Sequence, residues 1–317
     1  MKKYILNDSK KIIFLKNNEI LIEAKKCPRI KLDNSDYNSL TDLCKKYTIF
    51  EKNYISEKLF SILYKNKIII EANSNIKDSY KTKYERNELF AYNFLGKKSF
   101  KKIIDKNILF IGAGGIASII IDQLVSVGIE NFSIIDFDKV DLSNLNRQFV
   151  YKESDVGLNK VELFKNYILS KNKHAKIKIY NMKIETSNQI NEIVKNDKID
   201  FIVNSADTPP CYLQKYIVES SLKLKVPCIF GGVGIEEGSY GPLLDSNNGK
   251  INYLKQINST LDRINYYFPC KSSFGVTNSI ISNYMAWDII MYMMNEKKYV
   301  KSLNKSININ FKGTKYD

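Results

Sequence analysis

The stretch 107–128, "NILFIGAGGIASIIIDQLVSVG", constrains the fold most, because it is typical of a buried strand, a tight glycine turn and a helix. Gly112, Gly114 and Ala117 form G-x-G-x-x-A in the turn, where a phosphate can approach backbone N–H groups at the helix N-terminus. Asp136 follows Gly112 by 24 residues, at the end of the next strand, where its carboxylate can accept hydrogen bonds from ribose hydroxyls. These features predict an adenine nucleotide site, and they leave a dinucleotide-dependent dehydrogenase open.

Strand and helix patterns alternate along the chain from about residue 101 onward. The strand candidates, separated by helical patterns, are "NILFIG", "NFSIIDFD", "AKIKIYNMKI", "IDFIVNSAD" and "PCIFGGV". This alternation indicates an α/β fold with a Rossmann-like, mostly parallel sheet and helices on both faces. We expect "EEGSYGPLL" and "GKINYLK" to add antiparallel strands, and residues 277–299 to form a long apolar helix whose methionines fill the core.

The beginning of the chain follows a different pattern. Short strand-like runs, two helical patterns and a last strand, "KIIIEA", predict a small winged-helix-like α+β domain over residues 1–76. A polar stretch follows and leads into a helix that carries Arg86, so we assign residues 77–100 to a linker and helix. Residues 101–317 then form the α/β domain.

Composition excludes several classes of protein. The chain has 317 residues, of which 44% are hydrophobic, and it contains neither an apolar run of about 18 residues nor a signal peptide. It is therefore expected to be cytoplasmic, without a membrane partner. The net charge of +15 comes from scattered lysines and forms no basic helix or groove, so no nucleic-acid partner is expected. The five cysteines form no CxxC, and a single histidine, His174, excludes paired histidine ligands and a Ser/His/Asp triad.

The segment after Asp136 favours a triphosphate over a dinucleotide. It places Asn144, Arg147 and Gln148 in one short turn, and Lys160 at the start of the following helix. Two cations and neutral donors near the strand ends are typical of a triphosphate clamp. In "FIVNSADTPP", Asp207 ends the next strand, where a carboxylate facing phosphates is a natural Mg²⁺ ligand. Each of these residues alone would be an ordinary surface or capping residue. Their occurrence together, in this order along the chain, predicts a triphosphate site.

Four motifs in order, "GAGGIAS", "DFDKVDLSNLNRQ", "DVGLNK" and "SADT", make the chain resemble the adenylating enzymes of the ThiF, MoeB and ubiquitin-activating family. The resemblance covers roughly residues 80–300. That family activates a C-terminal carboxylate with ATP and Mg²⁺. The resemblance implies that the nucleotide-binding residues are Gly112, Gly114, Gly115, Asp136, Asp138, Asn144, Arg147, Gln148, Lys160 and Asp207.

The resemblance also implies individual roles. Asp136 holds the ribose, while Arg147 and Lys160, with Asn144, hold the phosphates and the transition-state charge. Asp207 holds Mg²⁺. No general base is needed, because the attacking carboxylate is already ionised, which agrees with the near absence of histidine.

A further residue implied by the resemblance is Arg86 in "KYERNELF", at the place where the family has an arginine that reaches into the partner's site. This implies a homodimer in which Arg86 acts in trans, in the manner of an arginine finger. The catalytic residues implied are Arg86, Arg147, Lys160 and Asp207.

Two departures narrow the choice within the family. Sulfur-carrier activators carry two CxxC pairs for zinc, whereas the first position reads "GKINYLKQ" here and the chain ends before a second pair, so no structural zinc is expected. The domain at residues 1–76 resembles the peptide-clamp domain of the family members that make microcin C-type antibiotics. The implied substrate is a short ribosomally made peptide, and the implied product is that peptide joined to a nucleotide.

Alternatives remain open at this point. An activator of a ubiquitin-like sulfur carrier would form a thioester or persulfide at Cys270 in "FPCKSSFGVTNS", which otherwise is a cysteine beside a helix start. A ThiF-like protein can also present substrate to another enzyme without catalysis. The glycines of "FGGVG", Gly231, Gly232 and Gly234, form either a tight strand end or a backbone wall along which a peptide tail enters.

Overall fold

The chain forms two units, Met1–Phe100 and Lys101–Asp317. This division comes from a computed structural model that describes residues 2–23, 28–46, 48–72, 82–96, 98–264 and 272–313. The helix that carries Arg86 falls within the first unit.

The first unit is an α+β structure. Its elements in chain order are β1 (Lys3–Leu6), β2 (Ile12–Phe14), β3 (Glu19–Ile22), β4 (Arg29–Lys31), α1 (Asn34–Lys46), β5 (Phe50–Glu51), α2 (Glu57–Lys65), β6 (Ile69–Ala72) and α3 (Glu85–Phe94). One antiparallel sheet has the order β5-β1-β6, and a second has the order β2-β3-β4.

The core of the first unit lies between these sheets and two helices. Leu40 and Leu43 of α1 and Leu59 and Leu63 of α2 are buried in one cluster with the inward-facing residues of β3. α2 begins at a Ser56 cap, whose hydroxyl accepts a hydrogen bond from the Leu59 N–H at 3.1 Å. The predicted helices and strands are confirmed; the short strands β4 and β5 were not predicted.

The second unit is a seven-stranded sheet covered by helices. Its elements are β7 (Asn107–Ile111), α4 (Gly115–Ser126), β8 (Asn131–Ile135), α5 (Lys160–Lys171), β9 (Lys176–Tyr180), α6 (Ser187–Asn196), β10 (Phe201–Asn204), α7 (Tyr212–Leu224), β11 (Cys228–Val233), β12 (Glu237–Leu244), α8 (Asn247–Leu261), α9 (Gly275–Met293) and β13 (Ile307–Asn310). The strand order is β13-β12-β11-β10-β7-β8-β9.

The direction of the strands defines where a ligand can bind. β7 to β11 pair in parallel, while β12 and β13 are added in antiparallel pairs. β7 is central and buried, as its apolar run predicts. The chain passes from β7 to β8 on one side and returns to β10 on the other, so a crevice opens at the carboxyl ends of β7 and β10. The predicted α/β class with a mostly parallel sheet is confirmed.

One element was predicted wrongly. "GKINYLK" is not an antiparallel strand but part of α8. The Ser246 hydroxyl caps this helix by accepting a hydrogen bond from the Gly249 N–H at 3.0 Å. Leu254, Ile257 and Leu261 then recur at helical spacing and pack on the core under the sheet. Burial of these three apolar side chains against the core therefore makes the segment a helix and not a strand.

The long apolar helix near the end is confirmed as α9, and its Met285 and Met291 are buried in the core. Among the described residues, no helix has the length and apolar character needed to cross a membrane.

Candidate active site

A cavity of roughly 410 Å³ opens at the carboxyl ends of β7, β8 and β10. It is lined by every residue of the second unit that the sequence predicted to bind nucleotide, namely Gly112, Gly114, Gly115, Asp136, Asp138, Asn144, Arg147, Gln148, Lys160 and Asp207. Arg86 is an exposed residue of α3 in the first unit. The structure thus brings ten predicted residues together, and their individual roles remain predictions.

Glycine is required at Gly112 in the turn after β7, and Gly115 at the start of α4 is closely packed. Gly112 has φ +98°, and a Cβ there would lie 2.8 Å from the Cβ of Ala206. A Cβ on Gly115 would lie 2.8 Å from Oδ1 of Asn278. The turn is therefore packed closely between the loop after β10 and α9, and α4 starts directly at the cavity wall. A helix N-terminus in this position favours an anion.

The carboxylate of Asp136 is tied to the backbone of the glycine turn and to the backbone of its own segment. Its Oδ2 accepts a hydrogen bond from the Ala113 N–H at 2.7 Å, and its Oδ1 accepts one from the Asp138 N–H at 2.8 Å. Burial raises the pKa of Asp136, and the nearby Lys160 charge and these hydrogen bonds offset the rise only in part. Each oxygen keeps a second lone pair, which a ribose hydroxyl could use.

Lys160, the first residue of α5, is a buried cation. Its Nζ lies 3.0 Å from Oδ2 of Asp138, and its backbone N–H donates to the Asp138 carbonyl, also at 3.0 Å. The Lys160 side chain is 7% exposed, whereas the Asp138 side chain is 48% exposed. The ammonium group is therefore fixed in the cavity wall by a carboxylate that faces solvent.

Asn144 is held by a short 3₁₀ turn, Leu142–Asn144, in the segment that connects β8 to α5. The Asp141 carboxylate accepts a hydrogen bond from the Ser143 N–H at 2.8 Å, and Asn144 Oδ1 accepts one from the Asp141 N–H at 3.1 Å. This reciprocal capping occupies the amide oxygen of Asn144. Its NH₂ group donates to no acceptor in the described ranges and is left as a donor at the cavity that Asn144 lines.

Arg147 and Gln148 follow in the same segment. The Arg147 Nη1 donates to the Ser143 carbonyl at 2.8 Å and to Asn146 Oδ1 at 3.0 Å, and within the described ranges the guanidinium forms no ion pair. Gln148 is buried, and its Oε1 has no hydrogen-bond partner in the part of the chain that the structure describes. The guanidinium of Arg147 favours an anionic ligand, whereas the amide oxygen of Gln148 is an acceptor that requires a donor, such as a hydroxyl or amino group of a ligand.

Asp207 stands at the rim of the cavity on the loop after β10. It is exposed, and the Thr208 hydroxyl donates to its Oδ1 at 3.2 Å. Among the described residues, no group of three or more His, Cys, Asp or Glu side chains could hold a metal ion. An ion at Asp207 would therefore take its other ligands from phosphates and water, which is the usual arrangement for Mg²⁺.

Several cavity residues were not predicted. Phe137, Met182 and Ile184 form an apolar part of the wall, and Asn278 enters it from the first turn of α9. Met182 and Ile184 belong to "AKIKIYNMKI", whose pattern predicts a strand throughout, although β9 ends at Tyr180. Gly231 and Gly232 line the cavity at the end of β11. Cys270 lies outside the described residues.

The comparisons with known proteins agree with this geometry. A model described as "ThiF family" matches residues 84–316. The chain belongs to the ThiF family. The matched residues cover nearly all of the second unit and reach back to α3 of the first, as the sequence motifs predicted.

Curated relatives of this ThiF-family chain include activating enzymes and adenylyltransferases. SUMO-activating enzyme subunit 2 of Dictyostelium discoideum is 32% identical over 138 residues, which cover 44% of this chain and 20% of the relative. Adenylyltransferase and sulfurtransferase UBA4 of Scheffersomyces stipitis is 30% identical over 171 residues, 54% of this chain and 37% of the relative. The chain thus spans between about a fifth and somewhat over a third of the length of these relatives.

Solved structures match over nearly the whole length. MccB of E. coli with ATP has a TM-score of 0.69 at 24% identity and covers 99% of this chain and 95% of its own. The microcin C7 biosynthetic enzyme MccB in complex with N-formylated MccA also has a TM-score of 0.69. PaaA has a TM-score of 0.67 at 20% identity, with 97% of each chain covered. These likenesses show that the ThiF-family chain shares the two-part fold.

Proposed function

We propose that this protein uses ATP and Mg²⁺ to adenylate the C-terminus of a short ribosomally made peptide. The observation that carries the proposal is that two cations, Arg147 and the buried Lys160, line one cavity. Arg147 has no carboxylate partner among the described residues. A small α+β unit precedes the adenylyltransferase domain, as in the MccB fold, and MccB structures include complexes with the peptide MccA. This arrangement supports a peptide substrate.

The charges of the site suit attack of a carboxylate on a phosphate. A peptide carboxylate oxygen would form a bond to the α-phosphorus of ATP while the bond from that phosphorus to the bridging oxygen breaks, and pyrophosphate leaves. Arg147, Lys160 and Asn144 would hold the phosphates and neutralise the repulsion between two anions. Asp207 would hold Mg²⁺, which supplies further charge neutralisation at the phosphates.

The far wall of the cavity offers a path for the peptide. Gly231 and Gly232 line the cavity where β11 meets β12. A Cβ on Gly231 would collide with Met285, but within 4 Å a Cβ on Gly232 would meet only the Ser239 hydroxyl among the described residues. An extended peptide tail could therefore lie close to this backbone and bring its last carboxylate to the phosphates. In this proposal, the first unit binds the remainder of the peptide.

A homodimer is part of the same proposal. Exposed apolar side chains cluster where α9 begins and where the segment after Arg147 passes it, namely Phe149, Phe274, Val276, Ile280 and Tyr284. The ring of Phe149 packs against the start of α9, because a Cβ added to Gly275 would lie 2.9 Å from that ring. A contiguous apolar patch of this kind is typical of a protein interface. Arg86 would then act in the site of the partner subunit.

The test uses purified protein, Mg²⁺, ATP and the short peptide encoded nearest its gene. We expect the intact mass of the peptide to rise by one nucleotide with wild-type protein and to stay unchanged with Lys160→Ala or Asp207→Ala. Asp262→Ala, at an exposed carboxylate beyond α8, is the matched control and should remain active. An unmodified cognate peptide with wild-type protein would contradict the proposal.

Activation of a sulfur-carrier protein is the second candidate, because the curated relatives include a probable molybdopterin-synthase adenylyltransferase of Porphyra purpurea, 33% identical over 139 residues, and UBA4. It predicts AMP release and mass added to the protein at Cys270, which Cys270→Ser would abolish. Peptide nucleotidylation should survive that substitution. A non-catalytic presenter would show no ATP turnover at all, and a dehydrogenase would bind NAD rather than ATP.

A further inference from the structure

Tyr151 is a buried residue that connects two parts of the cavity wall. It belongs to the turn that follows Gln148, to whose carbonyl its backbone N–H donates at 3.1 Å. Its hydroxyl donates to the Ala113 carbonyl in the glycine turn at 2.8 Å. The Ala113 N–H is held by Asp136 at 2.7 Å. Side chains therefore fix both backbone polar groups of Ala113.

The bond from Tyr151 has a consequence for the next amide. A trans peptide is planar, and its C=O and N–H point in opposite directions, so fixing the Ala113 carbonyl also fixes the direction of the Gly114 N–H. Gly114 lines the cavity, and its N–H donates to no acceptor among the described residues. This amide is a free donor at the start of α4.

The hydroxyl of Tyr151 is suited to act as a permanent donor. Burial raises the pKa of Tyr151, and the carboxylates of Asp136, Asp138 and Asp155 raise it further. The phenol thus keeps its proton throughout the working pH range and always donates to Ala113. The direction of the Gly114 amide is set before any ligand arrives, which lowers the reorganisation needed on binding.

We propose that Tyr151 is a positioning residue that aims the Gly114 N–H at a phosphate of the bound nucleotide. This inference rests on the proposed function, because it requires a phosphorylated ligand in the cavity. It gives Tyr151 a role through Ala113 and not through contact with the ligand. The ring itself would remain a core side chain in Tyr151→Phe, which removes only the hydroxyl.

The experiment compares a ligand with phosphates and one without. Equilibrium dialysis with radiolabelled ATP and adenosine gives the affinity of each for wild-type protein and for Tyr151→Phe. We expect ATP to bind about tenfold more weakly to the variant, the effect of one misdirected hydrogen bond to a charged group, and adenosine to bind equally well. Tyr167→Phe is the matched control, because its hydroxyl donates to Asp122 Oδ1 at 2.8 Å, between α4 and α5. It should change neither affinity.

Two results would overturn the inference while leaving the proposed function intact. Equal losses for ATP and adenosine would assign Tyr151 a general structural role, and unchanged affinity for both would show that the Gly114 amide is aimed without it. Wild-type protein that binds no ATP would instead remove the proposed function, and this inference with it.

Discussion

The Nζ of Lys160 lies 3.0 Å from Oδ2 of Asp138, and the two side chains differ sharply in exposure, at 7% and 48%. A buried cation is costly unless it is paired. The pair keeps an ammonium group fixed in the cavity wall while its partner remains hydrated. A phosphate could thus approach the cation without the fold having to rearrange.

Lys160→Met tests this arrangement. The affinity for ATP should fall by at least about thirtyfold, because a charge-assisted contact in a recessed site is lost. The melting temperature should change little, since Asp138 is exposed enough to be hydrated alone. Lys165→Met, on the same helix but away from the cavity, is the control. Unchanged ATP affinity in Lys160→Met, measured by calorimetry, would contradict the role of this cation.

Gly112→Ala should be strongly destabilising, for two reasons that can be separated. A positive φ and a Cβ 2.8 Å from that of Ala206 act together at Gly112, whereas Gly157 has φ +87° with nothing within 4 Å. Urea denaturation should therefore show a loss of about 1 kcal/mol for Gly157→Ala and about 2–4 kcal/mol for Gly112→Ala. Equal losses of unfolding free energy in the two variants would show that the contact between the new Cβ and Ala206 is relieved at no cost.

The buried carboxylate of Asp197 gives a prediction about pH. It accepts hydrogen bonds from Ser133 at 2.5 Å, Lys178 at 2.5 Å and Tyr180 at 2.7 Å, which join α6 to β8 and β9. Burial alone would raise the pKa of Asp197, but these donors outweigh it and hold the pKa below its ordinary value. A lowered folded-state pKa contributes stability above about pH 4 that is lost as the pH falls.

We therefore expect Asp197→Asn to be less stable than wild type by about 1–3 kcal/mol at pH 7, with a difference that shrinks as the pH falls from 5 to 3. Urea denaturation at several pH values measures this. Asp122→Asn, at a partly exposed carboxylate, provides the comparison. A difference that stays constant down to pH 3 would mean that the charge of Asp197 does not matter.

The proposed action of Arg86 in trans can be tested by mixing subunits. Arg86→Ala and Lys160→Ala should each be inactive, whereas a heterodimer purified through two different tags should have about half of the wild-type activity. The site of the Arg86→Ala subunit would keep its own Lys160 and would be completed by Arg86 from the other subunit. A heterodimer of Lys160→Ala and Asp207→Ala is the control and should stay inactive. No recovery in the first heterodimer would place Arg86 outside the partner's site.

The glycine turn and the two carboxylates of the cavity could be predicted from the sequence, because these residues lie within a few positions of strand ends. Asp136 follows β8, and Asp207 follows β10, so the parallel topology alone brings them to one edge. The glycines of the turn were recognisable for the same reason, since their spacing is local.

The remaining residues depend on packing between distant segments. Asn278 reaches the cavity from α9, and Tyr151 contacts Ala113 across 38 positions of the chain, so neither leaves a local pattern. Met182 and Ile184 lie in a segment whose pattern predicts a strand throughout, but the strand ends before them. Residues 249–255 were predicted to form a strand but belong to α8, since a short apolar run is compatible with a strand or a helix until its burial is known.

The close contact at Gly112 couples two loops that arise from different strands. With no side chain between them, the backbone of the turn after β7 lies directly against Ser205 and Ala206, which precede Asp207. A displacement of either loop must be shared by the other. The glycine turn after β7 and the loop that carries Asp207 are therefore expected to move together, so that the sheet fixes the distance between them.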